Sequence, residues 1–313
     1  MDKNFLDTLS KDGDAYLISS AEDLCNLSEY VNAGNDCKEK IFKLANDIDL
    51  RGVENFIPIG TYDNRFNGTF DGDGKTISNL KIVDENFVGL FTFNENAIKN
   101  VHLINAKVSG KEWVGGLVGW NERGIIESCT ANSNVSGETK IGGLIGSNSG
   151  IVQNCATSST VSGKEQVGGL IGWNNGKIEN CSASDNISGM EDIGGLVGNN
   201  YEGTIENCTT STNVSGRNYV GGLVGDNSST IENCSVSGNV SGRNYVGGLV
   251  GWNHSDHINL FGNIEEVDCI IKNCAFSGSI SGAEGVDVLV GDNEGDIENC
   301  TFSGSVSKRD EII

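Results

Sequence analysis

The sequence predicts an all-β protein: a right-handed parallel β-helix with three strands per coil, about ten coils and a short N-terminal capping helix. The motif VGGLVGWN at Val114 recurs, with close copies, mostly every 26 or 27 residues. Two further motifs, I-x-N-C and V-S-G, keep the same step. So short a repeat has no room for the helices of tetratricopeptide or leucine-rich arrays. The right hand follows the general rule for crossovers between parallel strands.

The chain before the repeats predicts the cap. Ser20-Ala-Glu-Asp23 is typical of a helix start, and apolar residues three and four apart follow it as far as Gly34. A helix there would cover the first coil and hide an open row of backbone hydrogen-bonding groups. We therefore divide the chain into residues 1–86, the cap and irregular first coils, and residues 87–313, the repeat β-helix, within one continuous domain.

The I-x-N-C motif predicts a corner. Its Ile and Cys are three residues apart and would face opposite sides of a continuous strand, so we expect a bend at the Asn, which tolerates the left-handed conformation. The predicted inward cysteine row is Cys129, Cys155, Cys181, Cys208, Cys234, Cys274 and Cys300. The predicted asparagine ladder is Asn154, Asn180, Asn207, Asn233, Asn273 and Asn299, with Ser128 in the same place of one coil.

The glycine-rich motif predicts a second irregularity. Alternation along a strand cannot turn Val114, Leu117 and Val118 all inward. We therefore expect a bend or bulge at Gly115-Gly116.

Charge and targeting signals limit the partners. The formal net charge of -22 disfavours nucleic acid and anionic membranes. No signal peptide is visible, and no apolar run reaches the ~20 residues of a membrane span, so we expect no membrane insertion.

The repeated V/I-G-G-L-V/I-G-x-N, with I-x-N-C and V-S-G after it, resembles the GLUG repeat over about residues 87–307. The preceding KLANDIDL, FIPIG and FNGTFDGDGKTISNL are similar to the segment that often comes before such repeats. The resemblance implies a bacterial cell-surface or secreted protein that serves as an adhesin-like stalk or binding module for a protein or glycan. A cytoplasmic location is the alternative, because no signal peptide is visible.

We predict no enzyme activity and no catalytic residue. Certain metalloproteases carry such repeats, but their zinc signature H-E-x-x-H does not occur around His102, His254 or His257. Two other functions remain open. One is a polysaccharide lyase or hydrolase of the pectin-cleaving type, with candidate acids Asp47, Asp49, Asp71 and Asp73 in the early coils. The other is an intracellular acidic decoy of nucleic acid.

Two places are candidate binding sites. An insertion at about residues 254–268 interrupts the repeat, and variable loops on rigid scaffolds often bind partners; the candidates in it are His254, His257, Leu260 and Phe261. Trp120, Trp173 and Trp252 share one repeat position. They would form a sugar-stacking face if they point outward, and ordinary corner packing is the alternative.

We predict no cofactor and no metal. A calcium ion on Glu179, Glu206 and Glu232 is the alternative to a solvated acidic face. We expect the cysteine row to be reduced and to act as small apolar residues, while a bridge between Cys25 and Cys37 stays open. The last coil has no covering helix in the sequence, which makes it a candidate for end-to-end association.

Overall fold

The fold is a β-solenoid. The computed structural model describes residues 5–308 apart from 256, 261, 262, 267 and 268, and describes only the backbone of 185, 257–260 and 263–266. The described residues form about 11 turns, so the predicted fold class is confirmed. Each regular coil contributes strands to four sheets, and like positions of successive coils pair in parallel register.

Two sheets follow the I-x-N-C and V-S-G motifs. Sheet 1 contains, in spatial order, Lys11–Asp12, Ala15–Ile18, Ile41–Leu44, Thr69–Asp71, Ala97–Lys99, Ile125–Glu127, Ile151–Gln153, Lys177–Glu179, Thr204–Glu206, Ile231–Glu232, Ile270–Lys272 and Asp296–Glu298. Sheet 2 contains Ile48–Asp49, Thr76–Ser78, Lys81–Val83, His102–Ser109, Thr130–Ser136, Ala156–Ser158, Thr160–Ser162, Ser182–Ser188, Thr209–Ser215, Ser235–Ser241, Ala275–Gly282 and Thr301–Lys308.

The glycine-rich motif supplies the other two sheets. Sheet 3 contains Asn86–Val88, Glu112–Gly115, Thr139–Gly142, Glu165–Gly168, Glu191–Gly194, Asn218–Gly221, Asn244–Gly247 and Glu284–Asp287. Sheet 4 contains Phe91–Asn94, Val118–Asn121, Ile145–Asn148, Ile171–Asn174, Val197–Asn200, Val224–Asn227, Val250–Asn253 and Val290–Asn293. The insertion forms an antiparallel hairpin of His257–Leu260 and Asn263–Glu266.

A helix covers the N-terminal end, as predicted. The two helices of the described chain are Phe5–Thr8 and Ala21–Asn32. The second begins at Ser20, whose hydroxyl accepts a hydrogen bond from the backbone N–H of Asp23 at 3.1 Å. Its Ser28 hydroxyl donates to the carbonyl of Ile57 at 2.8 Å, which fixes the helix to the early coils. Neither helix is long and apolar enough to cross a membrane.

The expected irregularity of the glycine-rich motif divides one predicted strand into two. The chain bends at Gly116 and Leu117, between sheet 3 and sheet 4, so that Val114, Leu117 and Val118 are all fully buried. The second strand lies close against sheet 3 of the preceding coil: a Cβ on Gly119 would lie 2.5 Å from the carbonyl carbon of Phe87 there. Each coil therefore has four strands rather than the three expected from the sequence.

The I-x-N-C corner has the predicted backbone bend. The left-handed φ angles lie between 51° and 55° at Ser128, Asn154, Asn180, Asn207, Asn233, Asn273 and Asn299. Because of this bend, Ile126 and Cys129 both lie in the core with no exposed surface.

The continuous asparagine ladder, however, lies at another position, which corrects the prediction. At the I-x-N-C corner, side-chain bonds join Asn273 to Asn233 at 3.2 Å and Asn299 to Asn273 at 3.4 Å. An unbroken ladder uses the last residue of the glycine-rich motif instead, with each Nδ2 2.7–2.8 Å from the next Oδ1 through Asn94, Asn121, Asn148, Asn174, Asn200, Asn227, Asn253 and Asn293. The reason is burial: Asn94 to Asn253 have no exposed surface and must pair their amides, whereas the I-x-N-C amides face water.

The cysteine row lies inside the solenoid. Its members are buried up to Cys274, and Cys300 is half-buried. Backbone N–H groups donate to the Sγ atom of the next coil at four steps of this row; the Cys129 N–H, for example, donates to Cys155 Sγ at 3.4 Å. All ten cysteines are free thiols, including Cys25 and Cys37.

The last coil is more open than the coils before it. Ile297 and Val306 are 37% and 39% exposed, whereas Ile271 and Ile280, which pair with them in the preceding coil, have no exposed surface. End-to-end association through this coil stays a prediction.

Candidate binding face of the solenoid

A row of left-handed residues runs along sheet 3. The second residue of each strand has a φ angle between 52° and 60°, through Phe87, Trp113, Lys140, Gln166, Asp192, Tyr219, Tyr245 and Gly285. We call this the left-handed row. The residues on either side of it, such as Glu112 and Val114, pair normally with the neighbouring coils. The row therefore interrupts an otherwise regular sheet, and its side chains are half-buried up to Tyr219 and exposed at Tyr245.

A second row adjoins it on sheet 4. Backbone pairing aligns Phe93, Trp120, Ser147, Trp173, Asn199, Asp226, Trp252 and Asp292. Members of the left-handed row contact members of this second row that belong to the next coil. The ring centroids of Tyr219 and Trp252, for instance, lie 5.1 Å apart. We call the two rows together the ring face.

The N-terminal part of the ring face is aromatic, with Lys140 as its cationic member and Arg65 4.9 Å from the Phe93 ring. Phe87 and Trp113 stack with centroids 4.4 Å apart and planes 7° apart, and Trp120 lies 6.0 Å from Phe87. Lys140 Nζ lies 5.3 Å from the Trp113 ring and 4.9 Å from the Trp173 ring. These tryptophans are half-buried, so each keeps an accessible part.

The C-terminal part is a stack of four rings. Tyr245 stacks on Tyr219, Tyr219 on Trp252, and Trp252 on His254, with centroids 5.1, 5.1 and 4.0 Å apart. Tyr245 is 36% exposed and ends the stack at the surface. His254, at the start of the insertion, therefore belongs to the ring face.

Between the aromatic parts lies a polar segment. Asn199 Nδ2 donates to Asp226 Oδ2 at 2.9 Å, and His254 Nε2 lies 3.0 Å from Asp226 Oδ1. Burial, reinforced by the neighbouring Asp226, raises the pKa of Asp192 from 3.8 to about 8. Asp192 is therefore protonated at neutral pH.

Several buried polar atoms of this face have no hydrogen-bond partner among the described residues. They are the indole nitrogens of Trp120 and Trp252 and the amide oxygens of Gln166 and Asn199. Buried polar groups are paired in the great majority of cases, and exceptions concentrate at functional sites.

The comparisons with known proteins agree with the repeat found in the structure. The profile of the family described as the GLUG motif matches residues 114–136, 163–188, 191–215, 216–241 and 242–281. The chain is a GLUG-repeat protein. The stretch between the first two matches, residues 137–162, has the same strands in the same register. The GLUG repeats therefore form the regular coils that carry most of the ring face.

The chain is also similar to one much longer protein and to one solved structure. The GLUG-repeat chain is 32% identical to halomucin from Haloquadratum walsbyi over 123 residues, which is 34% of this chain and 1% of halomucin. A solved structure from Bacteroides ovatus, described as a proposed immunoglobulin A1 protease, is similar with a TM-score of 0.48 and 21% identity, over 95% of this chain and 85% of that chain.

The predicted binding residues are only partly brought together. Trp120, Trp173 and Trp252 share one face, as their common position indicates, and they do so as partly exposed side chains. His254 joins them. The backbones of His257 and Leu260 lie in the hairpin, and Phe261 lies outside the described residues.

The acidic face already has partners. Lys177 Nζ lies 2.9 Å from Glu179 and 3.3 Å from Glu206, and Lys272 Nζ lies 2.5 Å from Glu232. These pairs neutralise much of the repulsion that a calcium ion would relieve. Among the described residues, no three His, Cys, Asp or Glu side chains are grouped to hold a metal.

The early acids are also engaged. Asp47 accepts from the backbone N–H of Thr76 and Asp49 from the amide of Asn79, each at 2.8 Å, and Asp71 accepts from Asn100 at 3.0 Å. These bonds lower the pKa values of Asp47 and Asp49 and, against the opposing effect of its burial, that of Asp71. The contacts connect successive coils, which is a structural role.

Sequence reasoning missed the left-handed row. Trp113, Lys140, Tyr219 and Tyr245 occupy the position just before the glycine-rich motif. That position varies strongly between repeats, whereas the Val or Ile and the two glycines that follow it hardly change from Val114 to Val246. This variation could have indicated a functional row, because the architecture of the repeat does not require different side chains at that position.

Proposed function

We propose that this GLUG-repeat protein is a non-enzymatic surface or secreted stalk whose ring face binds a glycan chain. The repeats and the likeness to halomucin support a repeat protein of the surface type. The ring face supports the binding role and the class of partner.

The left-handed row carries the proposal. Left-handed backbone costs roughly 1–2 kcal/mol per residue for side chains other than Gly, with Asn and Asp partly excepted. The corner of sheet 1 meets this requirement almost entirely with Asn. Six of the eight positions of the left-handed row, by contrast, hold Phe, Trp, Lys, Gln or Tyr, and the other two hold Asp192 and Gly285. Strained backbone that keeps large, partly exposed side chains is typical of functional sites.

The arrangement of the rings favours a glycan. All four tryptophans of the chain, Trp113, Trp120, Trp173 and Trp252, lie on the ring face. Aromatic rings with a polar atom suit the apolar faces and hydroxyl groups of sugars. The rows follow the solenoid axis with roughly 4.8 Å per coil, so a linear polymer meets contacts repeated along its length.

Binding to an oligosaccharide array tests the proposal. The chain offers matched substitutions, since Gln, Ser and Asn occupy the same positions in other coils: Trp113→Gln, Trp120→Ser and Trp173→Asn. We expect the wild type to bind a subset of glycans and the triple variant to lose at least tenfold in affinity, about 1.4 kcal/mol. An Ile104→Ser variant on sheet 2, far from these rings in the coil, is the control and should bind normally.

Two results would contradict the proposal. One is an array on which the wild type binds no glycan. The other is a triple variant that keeps the wild-type circular dichroism spectrum and the wild-type affinity. The non-enzymatic part is tested separately: a bound oligosaccharide should yield no new reducing ends and no unsaturated product after prolonged incubation.

A further inference from the structure

Lys140 differs from the lysines nearest to it in the repeat. Lys111 and Lys164, one coil away on either side, lie 3.9 Å from Glu85 and 2.9 Å from Glu138. Lys140 makes no ion pair among the described residues, and its ammonium group lies instead between the rings of Trp113 and Trp173. It is an unpaired cation held at a fixed place on the ring face.

The surroundings of Lys140 favour an anion. The side chain is half-buried, and loss of solvation lowers the pKa of its ammonium group. Cation–π attraction offsets part of that loss, but a carboxylate would compensate it more fully through a charge-assisted hydrogen bond. The exposed Glu112 carboxylate raises the pKa of Lys140 only through the attraction of its charge. It does not supply the charge-assisted hydrogen bond.

The position between two rings of the neighbouring row is small and covered, because Ser147 is only 1% exposed. Ser147 lies between Trp120 and Trp173 on sheet 4 and is the smallest residue of that row. The two tryptophans are two coils apart, roughly 10 Å. A sugar that stacks on the accessible part of the Trp113 or Trp173 ring would therefore lie at the surface, beside the Lys140 ammonium group.

We propose that Trp113, Lys140 and Trp173 form a subsite for a carboxylate-bearing sugar residue within an otherwise neutral glycan. This rests on the proposed glycan binding and names the ligand class. The net charge of -22 further restricts the ligand to a glycan with few carboxylates. Exposed charges act weakly beyond ~8 Å at physiological salt, so one carboxylate is attracted locally, whereas a polyanion meets the repulsion of the whole rod.

The experiment compares matched acidic and neutral oligosaccharides by calorimetry with the full chain. The probes are sialyllactose against lactose, glucuronosyl-xylotetraose against xylotetraose, and oligogalacturonate as a polyanion. We expect an acidic member to bind about tenfold tighter than its neutral partner, a preference that weakens with salt, and oligogalacturonate to bind more weakly.

Three variants assign the preference to the ammonium group. Lys140→Gln should bind both members of a pair equally, and it should fold because Gln166 has the same left-handed backbone in the next coil. Lys140→Arg should keep the preference, and Glu112→Gln should increase it. A wild type that binds acidic and neutral members equally, or a Lys140→Gln variant that still prefers the acid, would overturn the subsite but leave glycan binding intact. Failure to bind any probe would count against both.

Discussion

Single residues show how differently one backbone conformation is used. The sheet 1 corner and the left-handed row share nearly the same φ angle, but one holds mostly Asn and the other holds large aromatic, charged or amide side chains. The corner is a requirement of the architecture, because it turns Ile and Cys inward together. The left-handed row has the same unfavourable backbone conformation, but the packing of the core does not require the residue types found there.

Asp192 predicts an unusual dependence of stability on pH. In the folded chain its proton is retained to about pH 8, while in the unfolded chain it is lost near ~4. The folded state therefore binds more protons in this window, and the contribution of Asp192 to stability falls as the pH rises from about 4 to 8. Asp226, Glu191 and Glu165 face it and reinforce the shift.

The Asp192→Asn variant isolates this effect. We expect its melting temperature to fall less than that of the wild type between pH 5 and pH 8, and to exceed it at pH 8. Thermal unfolding followed by circular dichroism measures both curves. Parallel curves would show that Asp192 ionises normally in the folded state.

The buried amide ladder predicts a contrast between two asparagines. Asn174→Ala removes bonds to Asn148, Asn200 and the Gly176 carbonyl, and leaves buried groups unpaired. We expect a loss of about 2–4 kcal/mol in the free energy of unfolding. Asn180→Gly at the exposed corner keeps a permitted left-handed residue and should change stability by less than ~1 kcal/mol. Equal losses in urea unfolding would refute the distinction.

At the scale of the element, the bend in the glycine-rich motif defines the coil. It separates sheet 3 from sheet 4 and brings the sheet 4 strand against the sheet 3 strand of the preceding coil, with no room for a side chain at Gly119. The left-handed row of one coil consequently lies against sheet 4 of the next coil, and this contact creates the ring face.

A glycine substitution tests the bend. Gly119→Ala places a methyl group 2.5 Å from the backbone of Phe87, so the sheets must separate. We expect a loss of ~3 kcal/mol in the free energy of unfolding. Gly52→Ala is the matched control, since a Cβ there meets nothing within 4 Å. A Gly119→Ala variant as stable as the control would contradict the close approach of the strands.

The sequence predicts the periodic parts of this element and not the contacts between coils. The spacing of Ile126 and Cys129 predicts the corner, and the conflict among Val114, Leu117 and Val118 predicts the bend, because both depend on alternation along one strand. The approach of Lys140 to Trp173 depends on how far sheet 4 shifts past sheet 3, which alternation does not determine. The asparagine ladder was misplaced for a similar reason: spacing does not distinguish a buried corner from an exposed one.

At the scale of the whole molecule, the repeat produces a rigid support for a long face. Identical core positions in successive coils hold the rows in register, while the outward positions are free to vary. The ring face has an aromatic and cationic part, a polar centre and an aromatic stack that ends at His254 beside the insertion. If the ring face binds a glycan as proposed, we expect this order to give the chain a defined direction along the solenoid.

The four tryptophans make the central claim directly measurable, because every indole group of the protein lies on the ring face. In a ¹H–¹⁵N spectrum of the labelled chain, each indole N–H gives its own signal. On titration with an oligosaccharide bound on the array, we expect the Trp113, Trp120 and Trp173 signals to shift and saturate together with the calorimetric binding curve. Saturated binding with all four indole signals unmoved would place the binding site elsewhere and contradict the assignment of the ring face.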